Sequence, residues 1–124
     1  MHVEITSLFK SHLKNYPKED KLKISAFIQH VQNHGLANLE GRNKSSDNVP
    51  TDDPHWLVKV KHAKKYNLWH YHIGIPTYEG EFGDKTSEYV LHYMLDEVGR
   101  KITLVYMSAH PPFELPNDEY LTLS

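Results

Sequence analysis

Three segments in the second half of the chain alternate two sets of side chains, and this most limits what the chain can fold into. Within residues 67–74, Trp69, Tyr71 and Ile73 alternate with Leu68, His70 and His72. Within 88–95, Tyr89, Leu91 and Tyr93 alternate with Val90, His92 and Met94, and residues 102–110 form the third segment. A period of two marks a β-strand, because successive side chains leave opposite faces. Asp96-Glu97-Val98-Gly99 reads as a hairpin connection, and a Gly/Pro/acid-rich stretch from Pro76 to Thr86 joins the first two strands. Residues 56–62 show a similar alternation, Trp56, Val58 and Val60 against Leu57, Lys59 and Lys61, and are read as a further strand. Consecutive strands on short connections favour an antiparallel sheet.

The first half has a different period. Residues 2–6 are read as a short strand with Val3 and Ile5 inward. Thr6 or Ser7 then offers an N-cap, and Phe9, Leu13 and Tyr16 fall on one helical face. Pro17 suits the first turn of a second helix, with Glu19 and Asp20 at its positive end. Ile24, Phe27, Ile28 and Val31 make its apolar stripe and Gly35 its stop. His30 and His34 read as dipole partners at its C-terminal end. Residues 36–54 read as a long loop, and the tail from Pro111 onward as irregular, with Phe113, Leu115, Tyr120 and Leu121 available to pack on the sheet. The expected fold is α+β in two layers: an N-terminal strand, a two-helix hairpin, then an antiparallel β-sheet, all in one domain spanning 1–124.

The 124 residues match a single domain and contain no Cys, which excludes disulfide scaffolds, thiolate metal clusters and cysteine nucleophiles. No stretch approaches the ~20 apolar residues of a membrane span, and the N-terminal residues lack the apolar run of a signal peptide. A soluble, cytoplasmic protein without membrane partners is expected. The net charge of −2 conceals an asymmetry: residues 1–72 hold 11 Lys and Arg against 7 Asp and Glu, residues 73–124 hold 3 against 9.

Strand alternation sorts the chemistry onto one face. Val58, Val60, Trp69, Tyr71, Ile73, Leu91, Val105 and Met107 are expected to meet the helices. Lys59, Lys61, His70, His72, His92, Tyr106, Ser108 and His110 are expected on the opposite face. That second set suits phosphodiester cleavage. His takes a proton from a ribose 2′-hydroxyl or gives one to the leaving 5′-oxygen, and cations stabilise the developing phosphate charge. His70 or His72 is assigned as general base and His92 or His110 as general acid. Lys59, Lys61 and Arg42 are assigned to the phosphate, and Tyr93 or Tyr106 to positioning the nucleotide. No cofactor and no metal enter this reading. Two alternatives stand beside it. One is an interaction domain without catalysis. The other is a small metalloprotein, since His70-Tyr71-His72 sets two imidazoles about 7 Å apart on one strand face, with His92 or His110 as third ligand.

The order of elements resembles the RelE/ParE superfamily of bacterial type II toxins. Val3-Glu4-Ile5-Thr6, Phe9-Lys10, Leu13-Lys14, Lys23-Ile24, Phe27-Ile28 and Gly35 look like its opening strand and helical hairpin. Gly41-Arg42, His70-Tyr71-His72-Ile73, Thr86-Ser87-Glu88, Leu91-His92-Tyr93 and the apolar run 102–106 look most like the YafO toxins. The resemblance implies an mRNA interferase that cuts message on the translating ribosome without metal, and a cognate antitoxin that neutralises it. ParE-like relatives imply the non-enzymatic alternative. This chain departs from many relatives in its slightly acidic balance and in having only Arg42 and Arg100.

Overall fold

The structure, a computed structural model, describes residues 1–110 and 114–122. Its elements are β1 (His2–Ile5), α1 (Ser7–Leu13), α2 (Lys18–His34), β2 (Asn43–Ser45), α3 (Trp56–Tyr66), β3 (Leu68–His72), β4 (Tyr89–Asp96), β5 (Lys101–Ala109) and α4 (Asp118–Thr122). The five strands form one open sheet in the order β1-β5-β4-β3-β2. No helix among the described residues is long and apolar enough to cross a membrane.

The helical hairpin forms as its stripes require. The Thr6 hydroxyl accepts the Phe9 N–H at 3.2 Å and caps α1. Gly35 ends α2 at φ 66°, a left-handed backbone that costs glycine little. Phe9, Ile24, Phe27 and Val31 bury against Tyr71, Leu91, Tyr93, Ile102 and Leu104 on one sheet face. His34 lies in the last turn of α2, and His30 Nε2 is 2.6 Å from the Ala37 carbonyl beyond it.

Three expectations are corrected. First, the sheet is mixed: β3, β4 and β5 form the antiparallel meander, but β1 runs parallel to β5, His2 opposite Lys101 through Ile5 opposite Leu104. Short connections dictate antiparallel pairing only between consecutive strands, and β1 reaches its partner through the whole chain. Second, residues 56–62 belong to helix α3. Its apolar contacts run through Ala63 and Tyr66 at helical spacing, and only Ala63 of the helix is buried, against Leu68, Val105 and Leu121. Asn67 closes the helix in the left-handed conformation at φ 47°. Val58, expected in the core, is 69% exposed. Third, the architecture is not two-layered. The tail forms α4, and Leu121 and Leu115 join Ala63, Tyr66, Leu68, Met94 and Val105 in a second cluster on the face away from α1 and α2. Phe113 lies outside the described residues. The loop 36–54 contributes β2, which pairs with β3.

The alternation of β5 also breaks. His92 pairs with Tyr106 while Tyr93 pairs with Leu104, so Val105 is the extra residue of a β-bulge. Val105 and Tyr106 therefore both meet the α3/α4 cluster, and Val105 is not under the hairpin as expected.

Candidate functional site

The strand register gathers imidazoles on the sheet face that α3 and α4 cover only in part. His70 and His72 share one face of β3, His70 opposite His92 of β4, which in turn lies opposite Tyr106 of β5. His110 follows β5 directly, and its N–H donates to the Glu88 carbonyl at 2.6 Å. Ring centroids are 6.2 Å apart for His70 and His72, 6.1 Å for His70 and His110, and 5.5 Å for His72 and His110. One nitrogen from each of these three rings lies within 4.8 Å of the others.

A cleft of about 490 Å³ opens beside two of these rings, lined by Arg42, His72, Thr77, Ser87, Glu88 and His110 among others. Arg42 is placed there by a close backbone approach. Its carbonyl accepts the His72 N–H at 2.9 Å, and the preceding Gly41 packs so tightly on β3 that a Cβ there would overlap the His72 carbonyl oxygen. The guanidinium is oriented by Asp84, with Nε 2.7 Å from Oδ1 and Nη2 3.1 Å from Oδ2. Tyr71 and Tyr78 brace this corner: Gly41 N–H donates to the Tyr71 hydroxyl, which lies 2.8 Å from the Tyr78 hydroxyl, and Tyr78 donates to the His72 carbonyl.

Burial, followed by the charges of its neighbours, pushes His70 down to about 4. Burial likewise lowers His72, against a backbone hydrogen bond to Ser87 that acts in the other direction. His110 is lowered by burial and by Arg42. The three rings are therefore neutral at pH 7, each with one nitrogen lone pair to act as a base or a ligand. His70 is oriented by its Nδ1, 2.9 Å from the buried Ser46 hydroxyl. His72 Nδ1 lies 3.0 Å from both the carbonyl oxygen and the backbone N–H of Ser87. In the tautomer that donates to the carbonyl, Nε2 carries the lone pair.

The remaining sequence-assigned residues fall elsewhere. His92 is wholly buried behind His70, its Nε2 2.7 Å from the Ser108 hydroxyl, and burial pushes it down to about 3. Sealed from solvent and outside the lining of the cleft, it does not reach a substrate. Tyr93 lies on the other side of the sheet, buried under α2 beside Phe27, donating to Asn43 Oδ1 at 2.6 Å. Tyr106 packs between His92 and Tyr120 beside α4, outside the lining of the cleft. Lys59 and Lys61 ride on α3, Lys61 exposed and Lys59 paired with Asp53 at 2.6 Å. Their displacement follows from the helix: a residue of 56–62 no longer alternates across the sheet. Two contributors went unassigned in the sequence, Ser46 and Ser87, because a serine's role as ring-orienting partner depends on a long-range approach that no local pattern records. Comparison with family models, with curated proteins and with solved structures finds no match for this chain.

Proposed function

We propose that the chain is a type II toxin of the RelE/ParE kind, an endoribonuclease that cuts messenger RNA in the cytoplasm, on the translating ribosome, and is held in check by a cognate antitoxin. One observation carries this reading: neutral imidazoles of His72 and His110 and the Arg42 guanidinium line one cleft. The resemblance to YafO toxins supplies the substrate. An imidazole of the cleft takes the proton of a ribose 2′-hydroxyl, whose oxygen attacks the adjacent phosphorus. The bond to the 5′-oxygen breaks, a 2′,3′-cyclic phosphate forms, and the same proton passes to the departing 5′-oxygen. One neutral ring can carry it through both transfers, so no imidazolium is needed at the start. Arg42 faces the phosphate as its charge grows.

The test is cleavage of end-labelled RNA by tag-free protein in the presence of chelator, together with primer extension on messages after brief induction in bacteria. Products ending in 2′,3′-cyclic phosphate and 5′-hydroxyl are expected. His72→Ala should lower the rate by about 10²–10⁴-fold. Growth arrest without RNA scission, or cleavage unchanged in the double variant His72→Ala/His110→Ala, overturns the reading.

A further inference from the structure

We infer that His70, His72 and His110 form a binding site for one divalent transition-metal ion of the zinc type. The donor atoms already lie within 4.8 Å of one another. Neighbouring nitrogens around a tetrahedral zinc with bonds of about 2.0–2.1 Å stand about 3.3–3.4 Å apart. Closing the gap takes small side-chain rotations and no change of backbone. The scaffold is stiff: two ligands sit at i and i+2 on β3, which is hydrogen-bonded on both sides by β2 and β4, and the third is tied to the start of β4 through Glu88.

The surroundings of the rings argue for an ion beyond the distances. Metal-bound imidazoles give their second nitrogen to a hydrogen-bond acceptor, which sets the tautomer and aims the ligand atom. His70 and His72 each have that arrangement at Nδ1, toward the Ser46 hydroxyl and the Ser87 carbonyl. In the tautomers whose Nδ1–H donates to these oxygens, both Nε2 atoms are the ligand positions. The donor set is three imidazoles with no carboxylate, which suits zinc, nickel or copper and disfavours magnesium and calcium. Three protein ligands leave a fourth position, and the cleft supplies its space. Arg42 on the cleft wall would favour an anion there, and its charge is partly met by Asp84.

The ion site does not depend on the RNA reading, but one consequence rests on it. A ring that gives its lone pair to a metal has none left for a 2′-hydroxyl proton, so bound zinc should suppress metal-free cleavage.

The experiment uses full-length, tag-free protein, stripped with chelator and titrated with zinc by calorimetry, with cobalt(II) as a visible-absorption probe. One ion per chain at micromolar affinity or better is expected, with the intense bands of four-coordinate cobalt. His72→Ala and His110→Ala should each weaken binding by at least about tenfold, while the surface variant His34→Ala leaves it unchanged. His110→Gln, which keeps a polar side chain at the strand exit, serves if an alanine variant is unfolded by circular dichroism. Failure to bind one ion per chain, or binding lost in His34→Ala and kept in the triad variants, overturns the site. The RNA assay run with chelator and with zinc separates the two readings. Cleavage in chelator that zinc suppresses supports both. Zinc bound with no cleavage in either condition keeps the ion site and removes the nuclease. Cleavage only with zinc keeps the ion site and overturns the metal-free proton transfer.

Discussion

The two faces of the sheet are built from alternate residues of the same strands, yet they are stabilised by different means. Under α1 and α2 the buried side chains are apolar or aromatic, with Phe27 stacked on Tyr71 at 4.7 Å between ring centroids. On the other face α3 and α4 cover one end with Leu68, Met94 and Val105, and the rest buries His70, His72 and His92. Hydrocarbon gains from leaving water whatever its neighbour is, so the first face needs only shape. An imidazole loses hydration and must recover its hydrogen bonds, and Ser46, Ser87 and Ser108 each serve one ring. The polar face is thus maintained at a cost that the fold alone does not require, which is why function is sought there.

The largest effect should come from the apolar face. Phe27→Ala removes a ring 4% exposed and should cost about 3–5 kcal/mol in urea unfolding, while zinc affinity of the folded fraction stays within a factor of two. Equal losses of stability and of metal affinity would break the distinction between the faces.

Acid should act on the polar face. His92 and His70 are held neutral in the folded protein, down to about 3 and about 4, while in the unfolded chain they take up protons near 6.5. Below that value the unfolded state binds more protons, so stability is fully present above about 6.5 and falls as pH drops toward 4. The slope reaches at most about 1.4 kcal/mol per pH unit for each group. Melting of chelator-treated protein from pH 7.5 to 4.5 checks this, and His92→Gln should flatten the curve. A melting temperature unchanged across that range would show that these rings are not the ones titrating.

Ser46→Ala sharpens the contrast further. It deletes the hydroxyl beside His70 Nδ1 and should cost about 1–3 kcal/mol. Zinc binding should weaken by about 10–100-fold, because the ring loses its orienting partner. The smallest effect belongs to Lys59→Ala on α3. Its pair with Asp53 is partly exposed at the surface of α3, so stability should change by about 0–1 kcal/mol, with RNA cleavage unaltered. A strong loss of cleavage there would return α3 to the site.

Much of the fold is readable from local pattern. The stripe Ile24, Phe27, Val31 and the alternation through Trp69, Tyr71 and Tyr93 state which side of each element is buried, since apolar surface must leave water in any arrangement. Residues 56–66 show where that reasoning stops. Trp56, Val58 and Val60 alternate, yet Trp56, Val60 and Ala63 also recur at helical spacing, and a short segment satisfies both periods. Asp52, Asp53 and Pro54 ahead of it and Asn67 behind it were the signals for a helix. No local signal marked the parallel pairing of β1 with β5, the bulge at Val105, or the approach of Gly41 to His72.

The same division holds for the site. From its residues alone the chain determined that His70 and His72 share a strand face, because the pleat sends every second side chain the same way. It also determined that no thiolate takes part in its chemistry. Only the tertiary structure decided that His110, some forty residues onward, turns back to within 4.8 Å of them, and that Arg42 comes with it. It decided as well that His92 is sealed behind them, that Tyr93 looks the other way and that the two lysines stand on a helix. Register, bulge and long-range backbone contact are set by how whole elements share their buried surface, and that competition has no counterpart in a local stretch of residues.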